Sequence, residues 1–227
     1  MIIKNTPELF ALFTETSDEN IAYHVTTNSS QVDIARKNLS KKYQFELSNL
    51  CYMDQIHSNE VKIADPSQVF KCDALITNKL DTPLMVMVAD CIPIIFFDLK
   101  KKAIAVTHAG RVGTFNNIAS NTIQKLISTY QCDPKDIEVI FGPSIKMCCY
   151  EVSSEMAEFT KENFGKEFVQ DRNIDLQGIN KLQLLKAGIE NTNITINDIC
   201  TQCGDMPYFS YRNDKSCGRF AGLVFLK

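Results

Sequence analysis

Histidine is scarce in this chain, which has three among its 227 residues, at positions 24, 57 and 108. A multi-centre copper oxidase needs many more imidazoles, so composition argues against a laccase-like copper cluster and against copper as the cofactor. None of the three starts an H-x-E signature, since Thr26, Asn59 and Gly110 stand at the second position after each, so deamination by the known zinc nucleobase-deaminase route is not expected. Basic charge is also lacking: 24 Lys and Arg against 27 Asp and Glu give a net charge of −3 and a pI near 5.7. With no basic cluster longer than Lys100-Lys101-Lys102, a nucleic-acid partner is disfavoured and a small molecule is expected. The longest apolar stretch, residues 84–97, is broken by Asp90 and falls short of the roughly 20 residues a membrane span requires. Residues 1–13 carry Lys4, Pro7 and Glu8 among their apolar positions, unlike a signal peptide. A soluble, cytoplasmic protein without a membrane partner is the expectation. No repeat, low-complexity tract or linker interrupts the sequence, so residues 1–227 read as a single domain.

Cysteine, by contrast, is plentiful. The nine cysteines are odd in number and the chain is not a short secreted one, so a disulfide framework is the weaker reading. Cys51, Cys72, Cys132 and the adjacent Cys148-Cys149 read as buried free thiols. Cys200-x-x-Cys203 has the spacing of half a zinc site or of a redox pair, but no second pair of suitable spacing follows it, so it is discounted.

The chain organises around residues 83–113, PLMVMVADCIPIIFFDLKKKAIAVTHAGRVG, where two apolar strand-like runs each end at a reactive side chain, Cys91 and His108. Upstream, strands are expected over residues 10–13 and 21–26, the second with His24 at its middle in a structural role. A helix over 31–42 buries Val32, Ala35 and Leu39. A strand near 50–53 leads to a loop carrying His57, and a short strand covers 73–78. Downstream, Thr114 is expected to cap a helix over 115–130, with Ile118, Ile123, Leu126 and Ile127 on its buried side. A strand over 137–141, helices over 153–164 and 176–189, and strands over 194–199 and 223–226 complete the pattern. This irregular alternation fits mixed sheets in an α+β or α/β layering better than a strict βαβ repeat.

His57 and His108 lie in loop-flanked positions beside polar residues, with Cys91 at a strand break between them. Two imidazoles and one thiolate make a suitable zinc set, and three protein ligands with a fourth position open is the pattern of a catalytic site. The same residues suit a metal-independent pair, with Cys91 as nucleophile and a histidine as base. Spacing alone leaves both readings open. Asp90, inside a buried run, needs a partner and is expected either to orient a ligand or to make a structural hydrogen bond. Gly110, Arg111 and Gly113 at a helix start suggest an anion site.

Several short motifs then occur in order: Gln55-Ile56-His57-Ser58, Asp73-Ala74-Leu75-Ile76-Thr77, Ala89-Asp90-Cys91-Ile92-Pro93, His108-Ala109-Gly110, Gly142-Pro143-Ser144-Ile145, Tyr150-Glu151-Val152, and Ser210-Tyr211-Arg212 with Gly218-Arg219-Phe220. Together they resemble the purine nucleoside phosphorylase family of the polyphenol oxidase (laccase) domain type, which includes bacterial relatives of human laccase domain-containing protein 1. The resemblance runs from about residue 55 to the C-terminus, with a fainter echo at 36–39.

It implies an α+β fold, an αββα-like sandwich of layered mixed β-sheets flanked by helices, and a zinc ion on His57, Cys91 and His108. It also implies phosphorolysis of adenosine, inosine, guanosine and methylthioadenosine to base and ribose 1-phosphate, with adenosine deamination as a second activity. On this reading Asp90 joins the zinc ligands in the catalytic set, and Arg111, Gln55, Asp73 and Ser144 contact nucleoside or phosphate. Tyr150, Arg212 and Arg219 border the same motifs. The sequence departs from the family in two places. His-Ala-Gly-Trp-Arg-Gly is here His108-Ala109-Gly110-Arg111-Val112-Gly113, and the N-terminal Thr-Arg and Gly-Gly-Val-Ser are replaced by Thr14-Glu15 and Thr16-Ser17-Asp18-Glu19.

Overall fold

Strands that are apolar at every position have to be covered on both faces. The computed structural model, which describes residues 1–205 and 207–227, meets that demand by stacking two sheets between helices. The chain begins with β1 (Ile2–Asn5), β2 (Leu9–Phe13) and helix α1 (Ser29–Tyr43), then runs through β3 (Cys51–Asp54), β4 (Val61–Ile63), β5 (Phe70–Lys71) and β6 (Ala74–Thr77). Three strands with every residue buried follow: β7 (Leu84–Val88), β8 (Ile92–Asp98) and β9 (Ala103–Ala109). Beyond them lie α2 (Arg111–Phe115), α3 (Ile118–Tyr130), β10 (Glu138–Phe141), α4 (Ser154–Phe164) and the hairpin β11 (Val169–Gln170) with β12 (Asn173–Ile174). Helix α5 (Leu176–Lys186), β13 (Ile194–Ile196) and β14 (Phe220–Leu226) complete the fold.

Two six-stranded mixed sheets result, in the orders β1-β2-β14-β7-β3-β5 and β13-β10-β8-β9-β6-β4. Side-chain alternation divides each strand between two layers. Leu84, Val86 and Val88 of β7 pack between the sheets with Phe13, Ile95, Phe97, Ile104 and Val106. Met85 and Met87 belong to an outer layer that contains Ala35 of α1. On the other sheet, Ile94 and Phe96 meet Ile118, Ile123 and Leu126 of α3 and Ile179 and Leu184 of α5. This is the expected α+β arrangement of helix, sheet, sheet and helix. No helix among the described residues is long and apolar enough to cross a membrane.

Two local expectations are corrected. Residues 21–26 form no strand: Ile21 and Ala22 are buried, and Tyr23–Val25 make a single 3-10 turn. The Ile21 carbonyl accepts from Arg36 Nε at 2.9 Å rather than from a neighbouring strand, which leaves His24 on a turn. The helix expected over 115–130 starts later, at Ile118, because Asn117 takes a left-handed conformation at φ 62° and separates α3 from the short α2. Thr114 therefore caps nothing; it is buried inside α2 and its hydroxyl accepts from Asn180 Nδ2 at 2.8 Å.

Candidate metal centre

Sheet register brings the first two reactive groups together. His108 pairs with Pro93 and Ala109 with Ile92 in the β8–β9 ladder, so Cys91, one residue before β8, lies beside the end of β9. His57 arrives from the β3–β4 loop in a left-handed conformation, φ 58°, that L-residues adopt only where surroundings impose it. The surrounding that imposes it is Asp73. Its carboxylate, fully buried, accepts from the backbone N–H groups of Ile56, His57 and Ser58 and from the Ser58 hydroxyl.

The donor atoms of His57, Cys91 and His108 all lie within 4.8 Å of one another, and the two imidazole rings meet edge to face with centroids 4.7 Å apart. Gly110 forms the floor beneath them. A Cβ there would come within 3.1 Å of both Cys91 Sγ and His57 Cδ2 and 3.6 Å of His108 Cε1, so only glycine leaves the three donors undisturbed. Two imidazole nitrogens and a thiol sulfur are a donor set that suits a metal ion with a coordination position left over.

Electrostatics support the same arrangement. Asp73 Oδ1 lies 2.7 Å from His108 Nδ1, which fixes the tautomer and leaves Nε2 as the ring's free donor atom. Burial opposes a charge on Cys91, yet the charges and hydrogen bonds of His108, and then of His57, outweigh it and bring the thiol down to about 6. Burial likewise opposes protonation of His108, and the Cys91 and Asp73 anions overcome it, raising the imidazole to about 9. Without a bound ion the two form a thiolate–imidazolium pair between those values. In chelator-treated protein, alkylation of the Cys91 peptide, followed by mass spectrometry, should therefore reach half its maximal rate near pH 6. A midpoint at the ordinary thiol value of about 8.5 would show that the pair does not form.

The sequence from residue 14 to 227 matches the model of the multi-copper polyphenol oxidoreductase laccase family. The chain belongs to this family. A relative from Campylobacter jejuni named purine nucleoside phosphorylase is 36% identical over 211 residues, covering 91% of this chain and 90% of the relative. A relative from an unknown prokaryotic organism, named adenosine deaminase RL5, is 29% identical over 215 residues, 86% of this chain and 82% of the relative. The crystal structure of YlmD from Geobacillus stearothermophilus superposes with a TM-score of 0.85 at 26% identity, covering 96% of this chain and 90% of that one.

Within this laccase-family chain, the other residues singled out in the sequence fall into two groups. Some hold backbone. Asp90, at φ 83°, accepts from Thr201 Oγ1 at 2.6 Å and from the Arg212 N–H at 2.7 Å, which satisfies its buried carboxylate and draws two C-terminal loops to Cys91. Gln55 exchanges two hydrogen bonds with the Met87 backbone, at 2.7 and 2.9 Å, and so extends the edge of β7. Ser144 is fully buried against Gly142 and Gln177, and Asp73 lies below His57 and His108 with its oxygens engaged.

The second group borders the site. Arg111 touches Met156 Sδ at 3.3 Å. Burial and then the Cys91 charge push the Tyr150 pKa up, while Arg111 and Arg212 oppose them, which places the phenol among these charges. The Arg212 guanidinium lies 5.5 Å from the Tyr150 ring centre. Arg219 instead donates to the Cys217 and Gly218 carbonyls and ties its own loop down. His24, read from sequence as structural, lies within electrostatic reach of Arg219 and His108; burial, then those cations, lower its pKa. Nothing in its sequence neighbourhood signals this, because its proximity comes from the turn that replaces the expected strand.

Proposed function

We propose that this protein is a zinc-dependent purine nucleoside phosphorylase that cleaves adenosine, inosine, guanosine and methylthioadenosine with phosphate, and that it also deaminates adenosine. The observation that carries the reading is the convergence of His57, Cys91 and His108 within 4.8 Å over the Gly110 floor. The names of the relatives, purine nucleoside phosphorylase and adenosine deaminase, support the substrate class.

In phosphorolysis the bond from C1′ to the base nitrogen breaks, a phosphate oxygen bonds to C1′, and the departing base keeps the electron pair and takes a proton. Positive charge builds on the ribose and negative charge on the base, so the site needs groups of both signs. His57, Cys91 and His108 would hold a zinc ion, which would supply Lewis-acid polarisation of an oxygen. Asp73 holds the His108 ring and the His57 loop in position for that. Arg111, together with Arg212 over the Tyr150 ring, balances the phosphate charge. Asp90 acts through the loops it anchors, by setting the Arg212 backbone beside Cys91.

The thiolate–imidazolium pair of Cys91 and His108 favours one competing reading, a cysteine hydrolase that needs no metal. Incubating metal-quantified protein with adenosine, with and without phosphate, and separating the products decides between them. Adenine and ribose 1-phosphate formed only with phosphate, and lost on chelation, are expected. Inosine formed independently of phosphate makes deamination the main activity. Turnover that survives chelators and is lost to a thiol reagent assigns the chemistry to Cys91 alone.

A further inference from the structure

A second cluster of donors lies apart from the His57, Cys91 and His108 site. The thiols of Cys148, Cys149, Cys200 and Cys203 all lie within 4.8 Å of one another. Two of these four, Cys148 and Cys203, are exposed, which corrects the reading of Cys148 as a buried packing residue. Cys148 Sγ is 3.5 Å from Cys149 Sγ and 3.7 Å from Cys203 Sγ. A tetrahedral ion with metal–sulfur bonds of about 2.3 Å separates its sulfurs by about 3.8 Å, so these spacings are those of a single ion's ligand shell. All four thiols within 4.8 Å leave room for one ion and not for a cluster of several iron atoms.

The backbone is built for the same purpose. Residues 146–150 make a tight turn in which the Cys149 and Tyr150 N–H groups both donate to the Lys146 carbonyl, and this turns two adjacent cysteines to one side. The second pair sits on a knuckle, Cys200-Thr201-Gln202-Cys203-Gly204, closed by the Gly204 N–H donating to the Cys200 carbonyl at 2.9 Å. A Cβ at Gly204 would meet that carbonyl oxygen at 2.6 Å, so the knuckle requires glycine there. Parallel pairing of Ser144 with Cys200 brings the turn and the knuckle side by side.

We propose that Cys148, Cys149, Cys200 and Cys203 form a second metal site, a tetrathiolate that binds one zinc ion and fastens together the two loops bordering the catalytic centre. Four thiols release their protons to solvent as four zinc–sulfur bonds form, leaving a net charge of −2 that the nearby Lys146 ammonium partly offsets. Closed four-sulfur coordination gives a structural role, since no position remains for substrate. The loops so joined carry Tyr150, whose ring meets the Arg212 guanidinium, and Thr201, which holds Asp90 next to Cys91. The proposal is independent of the nucleoside reading.

The test is metal analysis of protein purified with a reductant and without chelators. Cys91→Ala should retain one zinc per chain, and X-ray absorption at the zinc edge should show four sulfur neighbours at about 2.3 Å and no nitrogen. Cys203→Ser in the Cys91→Ala background should lose that zinc and lower the melting temperature. Should the double variant fail to fold, Cys148→Ser in the same background and the absorption spectrum of Cys91→Ala carry the test. No zinc in Cys91→Ala, iron in its place, nitrogen ligation, or a disulfide between Cys148 and Cys203 in the reduced preparation would each overturn the proposal.

Discussion

Cys91→Ala should remain folded and lose both the zinc held with His57 and His108 and all measurable turnover. Cys91 is the one anionic donor of the three, and its thiol is already poised as a thiolate at neutral pH by His108 and His57. Loss of a residue that merely supports a ligand weakens metal binding about 10–100-fold. Removal of a charged ligand should exceed that and leave two imidazoles that cannot hold the ion at micromolar concentrations. The fold does not depend on the thiol, because Cys91 is half-buried at the rim of a core filled by β7, β8 and β9. Metal content, circular dichroism and nucleoside turnover of the one variant check all three parts. Retained zinc in Cys91→Ala must therefore be assigned by its ligands, and nitrogen ligation together with full activity would sink the catalytic-zinc hypothesis.

Asp73→Asn should damage both stability and metal affinity, because Asp73 holds the His57 loop and the His108 ring in place. The carboxylate is fully buried and accepts from three backbone N–H groups, the Ser58 hydroxyl and His108. An amide of the same shape turns one acceptor into a donor facing those N–H groups, and breaking a buried charged pair in this way costs about 3–5 kcal/mol. The left-handed His57 loop loses its anchor and His108 loses its tautomer lock, so zinc affinity should fall about 10–100-fold.

The same group sets a pH limit. Burial works against the charged form of Asp73, but hydrogen bonds from His108 and Ser58 outweigh it and lower its pKa. A depressed carboxylate contributes stability that is fully present above its unfolded value of about 3.9 and is lost as pH falls through the lower folded value. Denaturant titrations of wild type and Asp73→Asn should therefore converge as pH falls below about 4. A constant stability difference between the two across that range would show that Asp73 is not charged in the native state.

The central strands were legible because their composition admits one solution. Residues 84–88 and 92–98 are apolar at nearly every position, and only a doubly covered strand hides both faces. The start of the helix over 115–130 misled because side-chain periodicity continues across Asn117, whereas the break is made by one backbone dihedral, with Asn180 and Gln183 reaching Thr114 from α5. The strand over 21–26 failed for a related reason: Arg36 from α1 claims the carbonyl a strand partner would need.

Residue type by itself narrowed the donors available to the first site, since with three histidines in the chain only a few nitrogen donors can join a thiol at the ends of buried strands. It did not determine roles. Asp73, Gln55 and Ser144 sit in motifs that suggest contact with substrate, and tertiary structure also commits polar atoms of each to backbone and side-chain partners around the site. Nor did it reveal the four-cysteine cluster, because linear spacing identifies ligand pairs only within one turn, and Cys148-Cys149 meets Cys200-x-x-Cys203 through pairing of Ser144 with Cys200. Sequence fixes which side chains can bear charge, donate or ligate. Which of them converge depends on sheet register and loop closure, which arise from contacts between residues far apart in the chain.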